Sequence, residues 1–229
     1  MKILVATQKP FAAVAVEGIT KILTEAGHIV DTLEKYAAQA DFVNAVAPYD
    51  ALIIRSDKVT GEVMAAAPNL KIVVRAGAGV DNVDLAAAKA RGIVVMNTPG
   101  QNANAVAELC IAMMIYMSRG QFTPGTGSEI MGKKLGVQAF GNVGRLVGAK
   151  AAALGMKVKA LDPFLTPEQI RAGGAEPVET LEELYAGSDY VSLHIPATPQ
   201  TVGSIGYDLL TRMPKGATLI NTARKEVID

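Results

Sequence analysis

The sequence predicts an α/β protein made of two successive parallel sheets, and three observations lead to that prediction. Short, branched apolar runs alternate with Ala-rich, helix-like stretches along the chain. The apolar runs are continuous rather than alternating, which is typical of strands covered on both faces. The alternation pauses at a Gly/Pro/Thr-rich link, residues 120–129, and then begins again. Strand–helix repetition of this kind implies parallel pairing with right-handed crossovers.

The first series predicts one α/β domain, which we place at residues 1–98, although the long helix that follows is an alternative position for the boundary. Its predicted strands are 2–7, 28–33, 51–56, 71–76 and 93–98, and its predicted helices are 11–26, 35–46, 60–67 and 82–91. His28 opens a strand far from every motif, so we expect it to be structural.

A long helix is predicted next, over residues 101–119, and its sequence is apolar nearly all round. Such a helix is expected to be buried, either between domains or in a subunit interface. The interface alternative predicts a homodimer. Cys110 lies within this helix and is the only cysteine, so no disulfide can form within the chain and a buried thiol is expected.

The second series predicts another α/β domain, which we place at residues 99–229 together with the long helix. Its strands are expected at 134–139, 157–162, 190–195 and 217–222, and its helices near 144–154, 179–186 and 207–212.

Composition excludes several classes of protein. Lys and Arg total 22, as do Asp and Glu, so the formal net charge is zero. A protein that binds nucleic acid by counterion release carries an excess of positive charge, so nucleic acid is not expected as a partner. The longest apolar stretch, 109–117, is half a membrane span, and no secretory signal precedes the first strand, so we expect a cytoplasmic protein without a membrane partner. Two histidines without a cysteine pair give little support to a metal site.

The stretch 135–163, LGVQAFGNVGRLVGAKAAALGMKVKALDP, carries the most chemical information. A strand enters a glycine turn, a helix follows, and a second strand ends in an acid. Gly141 lets the backbone approach a pyrophosphate, Gly144 lets the helix pack on the strand, and the helix N-terminus offers free N–H groups. Asp162 is placed to accept hydrogen bonds from ribose hydroxyls and to repel a 2′-phosphate, which favours NAD over NADP.

Ala139 stands where this dinucleotide-binding pattern normally has its first glycine. A methyl group there is tolerated easily only at negative φ, so we expect Ala139 to have a negative φ. Two alternatives to NAD binding remain open. One is an ordinary strand-to-helix turn in which Asp162 is a solvated strand end, and the other is S-adenosylmethionine, which uses a similar turn and acid.

Five motifs in the same order resemble the D-isomer-specific 2-hydroxyacid dehydrogenases over essentially the whole chain. They are RAGAGVDNVD (75–84), NTPGQNANAVAEL (97–109), the glycine turn and acid at 139–162, VSLHIPATPQTVGSIG (191–206) and LINTAR (219–224). The resemblance implies a flavodoxin-like substrate domain beside a Rossmann NAD-binding domain. It also implies hydride transfer between a D-2-hydroxy acid and NAD. The similarity is strongest to the members without an appended regulatory domain that act on 3-phosphoglycerate in serine biosynthesis.

The resemblance also implies roles for individual residues on the substrate side. Arg224 is expected to bind the substrate carboxylate and polarise the neighbouring carbonyl, and backbone N–H groups of Gly77, Ala78 and Gly79 are expected to hold the same carboxylate. The remaining substrate-side residues are Arg55, suited to a substrate phosphate, with Ser56 beside it, and Asn97. Alternatively, Arg224 is a surface ion-pair arginine, residues 76–79 are a plain turn, and Arg55 caps a strand end.

On the cofactor side, the resemblance implies pyrophosphate contacts from the backbone of Asn142 and Val143. His194, Ile195 and Pro196 are expected to line the nucleotide cleft with Thr201 nearby, and Thr222 and Ala223 are expected close to the nicotinamide. His194 belongs to the family's cofactor-side motif and is therefore not expected to be the acid/base residue.

Proton transfer must accompany hydride transfer, and it usually needs a histidine with a carboxylate partner. In the resembled family that glutamate and histidine follow the NTAR motif at some distance, whereas this sequence ends at Asp229. We therefore expect a truncated chain of a longer enzyme, with an incomplete second domain, and intact-mass measurement tests this. The alternatives are a non-catalytic NAD-binding sensor or corepressor on the same fold, and an inactive fragment.

Overall fold

Ten strands form two separate five-stranded sheets in which every pairing is parallel. The computed structural model describes all 229 residues and divides them into two units, Met1–Gln101 and Asn102–Asp229. This architecture confirms the predicted α/β class. None of the helices is long and apolar enough to cross a membrane.

The first unit alternates strand and helix throughout. Its elements are β1 Lys2–Thr7, α1 Ala13–Glu25, β2 Ile29–Glu34, α2 Gln39–Ala45, β3 Ala51–Ile54, α3 Gly61–Ala66, β4 Ile72–Arg75, α4 Leu85–Ala90 and β5 Val94–Asn97. The strands are ordered β2-β1-β3-β4-β5. That is the flavodoxin-like order, in which the direction of winding reverses between β1 and β3.

The core of the first unit forms where helices cover the inner strands. Leu4, Leu52 and Val73 of the sheet pack with Phe42 of α2 and Met64 of α3, and all five are almost completely buried. Side-chain caps fix where the following helices begin, because Thr60 accepts the N–H of Val63 at α3 and Asp84 accepts that of Ala87 at α4.

The second unit begins with a long helix and then repeats the alternation. Its elements are α5 Ala103–Ser118, β6 Lys134–Gln138, α6 Asn142–Ala153, β7 Lys157–Leu161, α7 Pro167–Ala172, β8 Glu176–Pro177, α8 Leu181–Ala186, β9 Tyr190–Leu193, α9 Tyr207–Leu210 and β10 Thr218–Asn221. The sheet order is β10-β9-β6-β7-β8. Counted from β6, this is the 3-2-1-4-5 order of a Rossmann fold, and its switch point lies between β6 and β9.

Within the single chain, helix α5 has one buried side and one exposed apolar side, so its burial in a subunit interface remains a prediction. One stripe is buried, namely Ala103, Ala107, Cys110, Ile111, Met114 and Ser118. On the other side, Leu109 is 53% exposed, Met113 36%, Tyr116 42% and Met117 41%. The apolar composition all round α5 therefore reflects one core-facing stripe and one apolar surface.

Candidate functional site

The carboxyl ends of the strands in the second unit lie level with one another. Gln138 pairs with both Leu161 and Leu193, and Leu193 pairs with Asn221. The residues that follow these four strand ends therefore emerge along one edge of the sheet. They include the glycine turn, Asp162, the segment 194–196 and the segment 222–224. Ligands of open α/β sheets bind outside this edge, at the switch point.

The glycine turn leaves room where a ligand's phosphate would approach. Helix α6 begins at Asn142 with Gly141 as its N-cap, and no side chain caps it. A Cβ built on Gly141 would meet no atom within 4 Å, whereas one on Gly144 would lie 2.2 Å from the carbonyl oxygen of Ala139. Gly144 is thus required for helix–strand packing, and Gly141 faces open space beside uncapped N–H groups. The residues present fit a dinucleotide pyrophosphate.

Asp162 is tied to the glycine turn as well as placed at the end of β7. Its Oδ2 accepts the backbone N–H of Phe140 at 2.8 Å, and its Oδ1 accepts that of Phe164 at 2.9 Å. A carboxylate has about four acceptor positions, so both oxygens retain capacity for ribose hydroxyls. The Asp162 carboxylate therefore holds the glycine turn in place and retains the capacity to bind a ribose of the ligand.

The expectation of a negative φ at Ala139 is wrong, since its φ is 70°. The N–H of Ala139 donates to the carbonyl of Leu161, and the next N–H donates to Asp162. These two bonds hold the chain in the left-handed region, which costs a non-glycine residue about 1–2 kcal/mol. The turn thus keeps its glycine-type conformation without the glycine.

His194 lies directly after β9, on the other side of the switch point. Its backbone N–H donates to the carbonyl of Gln138, and its Nε2 lies 3.0 Å from Ser192 Oγ. Burial lowers the pKa of His194 from 6.5 to about 4. The imidazole is therefore neutral at physiological pH and a weak base, in keeping with a place beside the cofactor rather than an acid/base role.

The neighbours of His194 have separate structural duties. Ile195 is buried in the core between β9 and the chain end, while Pro196 is exposed. Thr201 closes the loop that follows Pro196, because its hydroxyl donates to the carbonyl of Pro196 and accepts the N–H of Thr198 at 2.8 Å.

The segment after β10 is shaped by a residue that the motif comparison did not single out. The side chain of Asn221 accepts the N–H of Ala223 at 2.9 Å and donates to the carbonyl of Arg224 at 2.8 Å. The Arg224 guanidinium donates to the carbonyl of Ala223 at 3.0 Å. Thr222 Oγ1 lies 3.2 Å from Cys110 Sγ on α5. Asn221 itself is the sequence signal for this turn, because asparagine side chains commonly bond the backbone two residues further along the chain.

The first unit places its predicted residues at the carboxyl ends of β3, β4 and β5. Ile54 pairs with Arg75, and Arg75 pairs with Asn97, so these ends are level as well. Arg55 and Ser56 follow β3 and are exposed, and the AGAG segment follows β4. The amide of Asn97 donates to the carbonyl of Ala78 at 2.6 Å, so Asn97 contacts that segment directly.

A buried carboxylate organises the loop that carries Arg55. Asp57 is 6% exposed and accepts the N–H of Gln8 at 2.7 Å and the hydroxyl of Tyr36. Burial and this carboxylate raise the pKa of Tyr36 well above its usual range. Asp57 thereby ties together the loops after three strands, and sequence reasoning missed it because a single Asp carries no motif.

Comparison with known proteins shows which family these features define. The model of the D-isomer specific 2-hydroxyacid dehydrogenase catalytic domain matches residues 9–194. The chain therefore belongs to the D-isomer-specific 2-hydroxyacid dehydrogenase family. No group of three or more His, Cys, Asp or Glu side chains lies close enough to bind a metal ion.

Three individual relatives show which members of the family this chain is similar to. A D-3-phosphoglycerate dehydrogenase of Mycobacterium leprae is 40% identical over 199 residues, which are 81% of this chain and 38% of the relative. A hydroxypyruvate reductase of Thermotoga maritima is 35% identical over 235 residues, or 88% of this chain and 75% of the relative. The crystal structure of an NAD+-bound 3-phosphoglycerate dehydrogenase of Entamoeba histolytica has a TM-score of 0.93 and 48% identity. It is matched over 100% of this chain and 74% of its own. The chain thus spans well under half of the mycobacterial relative.

Proposed function

We propose that this chain binds NAD and takes part in hydride transfer between a D-2-hydroxy acid and that cofactor. The observation that carries the proposal is the glycine turn at the Rossmann switch point, with Asp162 bonded to it and an uncapped helix N-terminus beside open space. When bound, NAD would supply the acceptor for the hydride from C2 of the hydroxy acid, while the hydroxyl proton would pass to a general base, which the family resemblance implies after the NTAR motif. The pyrophosphate is held by N–H groups of Asn142 and Val143, and a ribose is held by Asp162.

The acidic substrate is bound by the residues that the family resemblance implies. In the second unit, Arg224 is the arginine that this resemblance implies for a substrate carboxylate. A guanidinium is suited to this role because it pairs with a carboxylate through two parallel hydrogen bonds. In the first unit, the same role falls to the backbone of Ala78 and Gly79, because the N–H of Gly77 already donates to the carbonyl of Arg75 at 2.8 Å. Asn97 supports that backbone through its bond to Ala78. His194, Thr222 and Ala223 lie along the cofactor rather than taking the substrate proton.

The substrate that we propose is D-3-phosphoglycerate, the starting compound of serine biosynthesis. Arg55 is exposed directly after β3, at the switch point of the first sheet, where its charge is available to a phosphate. The mycobacterial and amoebic relatives named for phosphoglycerate support this choice, whereas the Thermotoga hydroxypyruvate reductase supports an unphosphorylated acid.

Two measurements on the purified chain test the function. Calorimetric titration with NAD and NADP tests cofactor binding, and NAD is expected to bind more tightly because Asp162 repels a 2′-phosphate. NADH formation is then followed with D-3-phosphoglycerate, glycerate, lactate and hydroxyglutarate. Binding without turnover of any acid, both in this chain and in a form extended beyond Asp229, supports the sensor alternative, whereas absence of NAD binding refutes the proposal.

We also propose that the chain forms a homodimer through α5. The exposed side chains Leu109, Met113, Tyr116 and Met117 form one apolar face of that helix, and Phe122 packs edge-on against Tyr116 with ring centroids 5.3 Å apart. Contiguous exposed apolar side chains of this kind mark interaction surfaces. The cytoplasmic location and the absence of nucleic-acid partners remain predictions from composition.

A further inference from the structure

Arg75, the last residue of β4, has a side chain that the proposed function does not use. Its Nε donates to the carbonyl oxygen of Arg55 at 3.0 Å. The same carbonyl accepts the side-chain amide of Asn82 at 3.3 Å, and this amide also donates to the carbonyl of Asp57 at 2.8 Å. The turn that carries Arg55 is thus held by two side chains, one from the last residue of β4 and one from the loop that follows it.

The guanidinium of Arg75 also occupies the space beside Gly77. A Cβ built on Gly77 would lie 1.8 Å from Arg75 Nη1 and 2.4 Å from its Cζ. No side chain fits at position 77 while Arg75 keeps this conformation. Gly77 is therefore needed for the arginine as well as for any approach of a ligand to the backbone.

Both neighbours of Arg75 belong to the proposed substrate site. Arg55 is the proposed phosphate ligand, and Gly77 opens the backbone segment proposed for the carboxylate. That segment is itself fixed to the end of β5, because Thr98 donates its N–H to the carbonyl of Gly77 and Asn97 donates to that of Ala78. The Arg75 side chain therefore links the two anion-binding elements of the first unit, beside the backbone bond from Ala76 to Ile54 and the bonds of Asn82.

We propose that Arg75 is a positioning residue that sets the spacing between the phosphate-binding and carboxylate-binding elements. It acts through Arg55 and the Gly77 backbone and so selects acids whose two anionic groups match that spacing. This inference rests on the proposed function. A guanidinium is required, because its Nε reaches the Arg55 carbonyl while its Nη1 occupies the space beside Gly77, and the single ammonium of a lysine cannot do both.

A double-mutant cycle tests the proposal in the full chain. Affinity for D-3-phosphoglycerate is measured calorimetrically in the presence of NAD for the wild type, Arg75→Ala, Arg55→Ala and the double variant. Arg75→Ala is expected to weaken binding about tenfold, and the same substitution in the Arg55→Ala background is expected to have much less effect because the residue through which it acts is gone. Arg75→Lys is expected to restore little of the lost affinity.

Controls separate positioning from a general loss of structure. Arg91→Ala removes an exposed arginine of the same unit and should match the wild type. Affinity for NAD, whose proposed ligands lie in the second unit, should be unchanged in Arg75→Ala. Full additivity in the cycle, full rescue by Arg75→Lys, or unchanged affinity in Arg75→Ala would each overturn the proposal. If the wild-type chain binds no D-2-hydroxy acid at all, the proposed function fails first and this inference with it.

Discussion

Ala139 shows how one residue can keep a conformation that its own side chain opposes. The bonds from Ala139 and Phe140 to Leu161 and Asp162 hold φ at 70°, although a methyl group is unfavourable there. We predict that Ala139→Gly raises the free energy of unfolding by about 0.5–1 kcal/mol, since relief of strain exceeds the added freedom of the unfolded chain. Urea denaturation measures this.

The control for Ala139→Gly is a second alanine-to-glycine substitution, at a residue in an ordinary helical conformation. Ala152 is an exposed helical residue of α6, so Ala152→Gly should destabilise the protein by about 1 kcal/mol. A loss of stability in Ala139→Gly would show that the turn is not strained.

His194 predicts a dependence of stability on pH. Its pKa is about 4 in the folded chain, against an ordinary 6.5, because burial disfavours the imidazolium. Below pH 6.5 the His194 ring binds a proton in the unfolded chain but stays neutral in the folded chain. The contribution of His194 to the free energy of unfolding is therefore complete above about pH 6.5 and falls as the pH drops towards 4. The loss at the lower end is on the order of 3 kcal/mol.

Denaturation at pH 7, 6 and 5 measures how the free energy of unfolding depends on pH. The same series in His194→Gln gives the pH dependence that remains without the histidine. An NMR titration of the His194 ring supplies an independent value. A ring that titrates near the ordinary 6.5 in the folded chain would contradict the prediction.

Among the elements, α6 separates the packing role of a glycine from its ligand role. At Gly144 a methyl group would meet a backbone carbonyl at 2.2 Å, so Gly144→Ala must move α6 away from β6 and should cost about 1–3 kcal/mol of stability. At Gly141 a methyl group meets no protein atom and φ is −79°, so Gly141→Ala should fold normally.

The same pair of variants tests the cofactor assignment. Gly141→Ala should weaken NAD binding at unchanged stability, because its methyl group would stand in the space proposed for the pyrophosphate. Thermal unfolding and calorimetric titration with NAD measure the two properties on one sample. If Gly141→Ala binds NAD as tightly as the wild type does, the pyrophosphate does not bind at this turn.

The sequence predicted elements well where the chemistry is local and periodic. All nine expected strands are present with small differences at their ends, because continuous apolar runs between turns leave few alternatives. Strand β8 was missed because two residues carry no period. Helix α7 was missed although Thr166, Pro167 and Gln169 form a capping box with proline at the first position, a signal that was available.

The candidate site was predictable only as far as its motifs extend. The glycine turn, Asp162 and Arg224 stand in recognisable patterns, whereas Asp57 belongs to no motif. Arg75 and Asn221 lie within quoted motifs, but the hydrogen bonds through which they act are seen only in the structure. The positive φ of Ala139 could not be predicted from its own side chain, since hydrogen bonds to residues 161 and 162 impose it.

For the whole molecule, the exposed face of α5 is the feature that a single chain leaves unexplained. Its buried stripe already packs against the second unit's core, so the exposed Leu109, Met113, Tyr116 and Met117 are surplus to that core. An apolar helix face is stabilised when a second copy covers it, and a two-fold dimer brings identical faces together. A charged residue in the middle of such a contact would be buried against its own copy without a partner, which is unfavourable.

We therefore predict that the purified chain is a dimer by light scattering and that Leu109→Glu with Met113→Glu makes it a monomer. The matched control is Val14→Glu, which places the same charge on α1 of the first unit, where Val14 is 75% exposed, and should leave the dimer intact. A wild-type chain that stays monomeric at every concentration tested would refute the prediction. Dissociation by Val14→Glu alone would move the interface to the first unit, and in either case the apolar face of α5 would need a different partner.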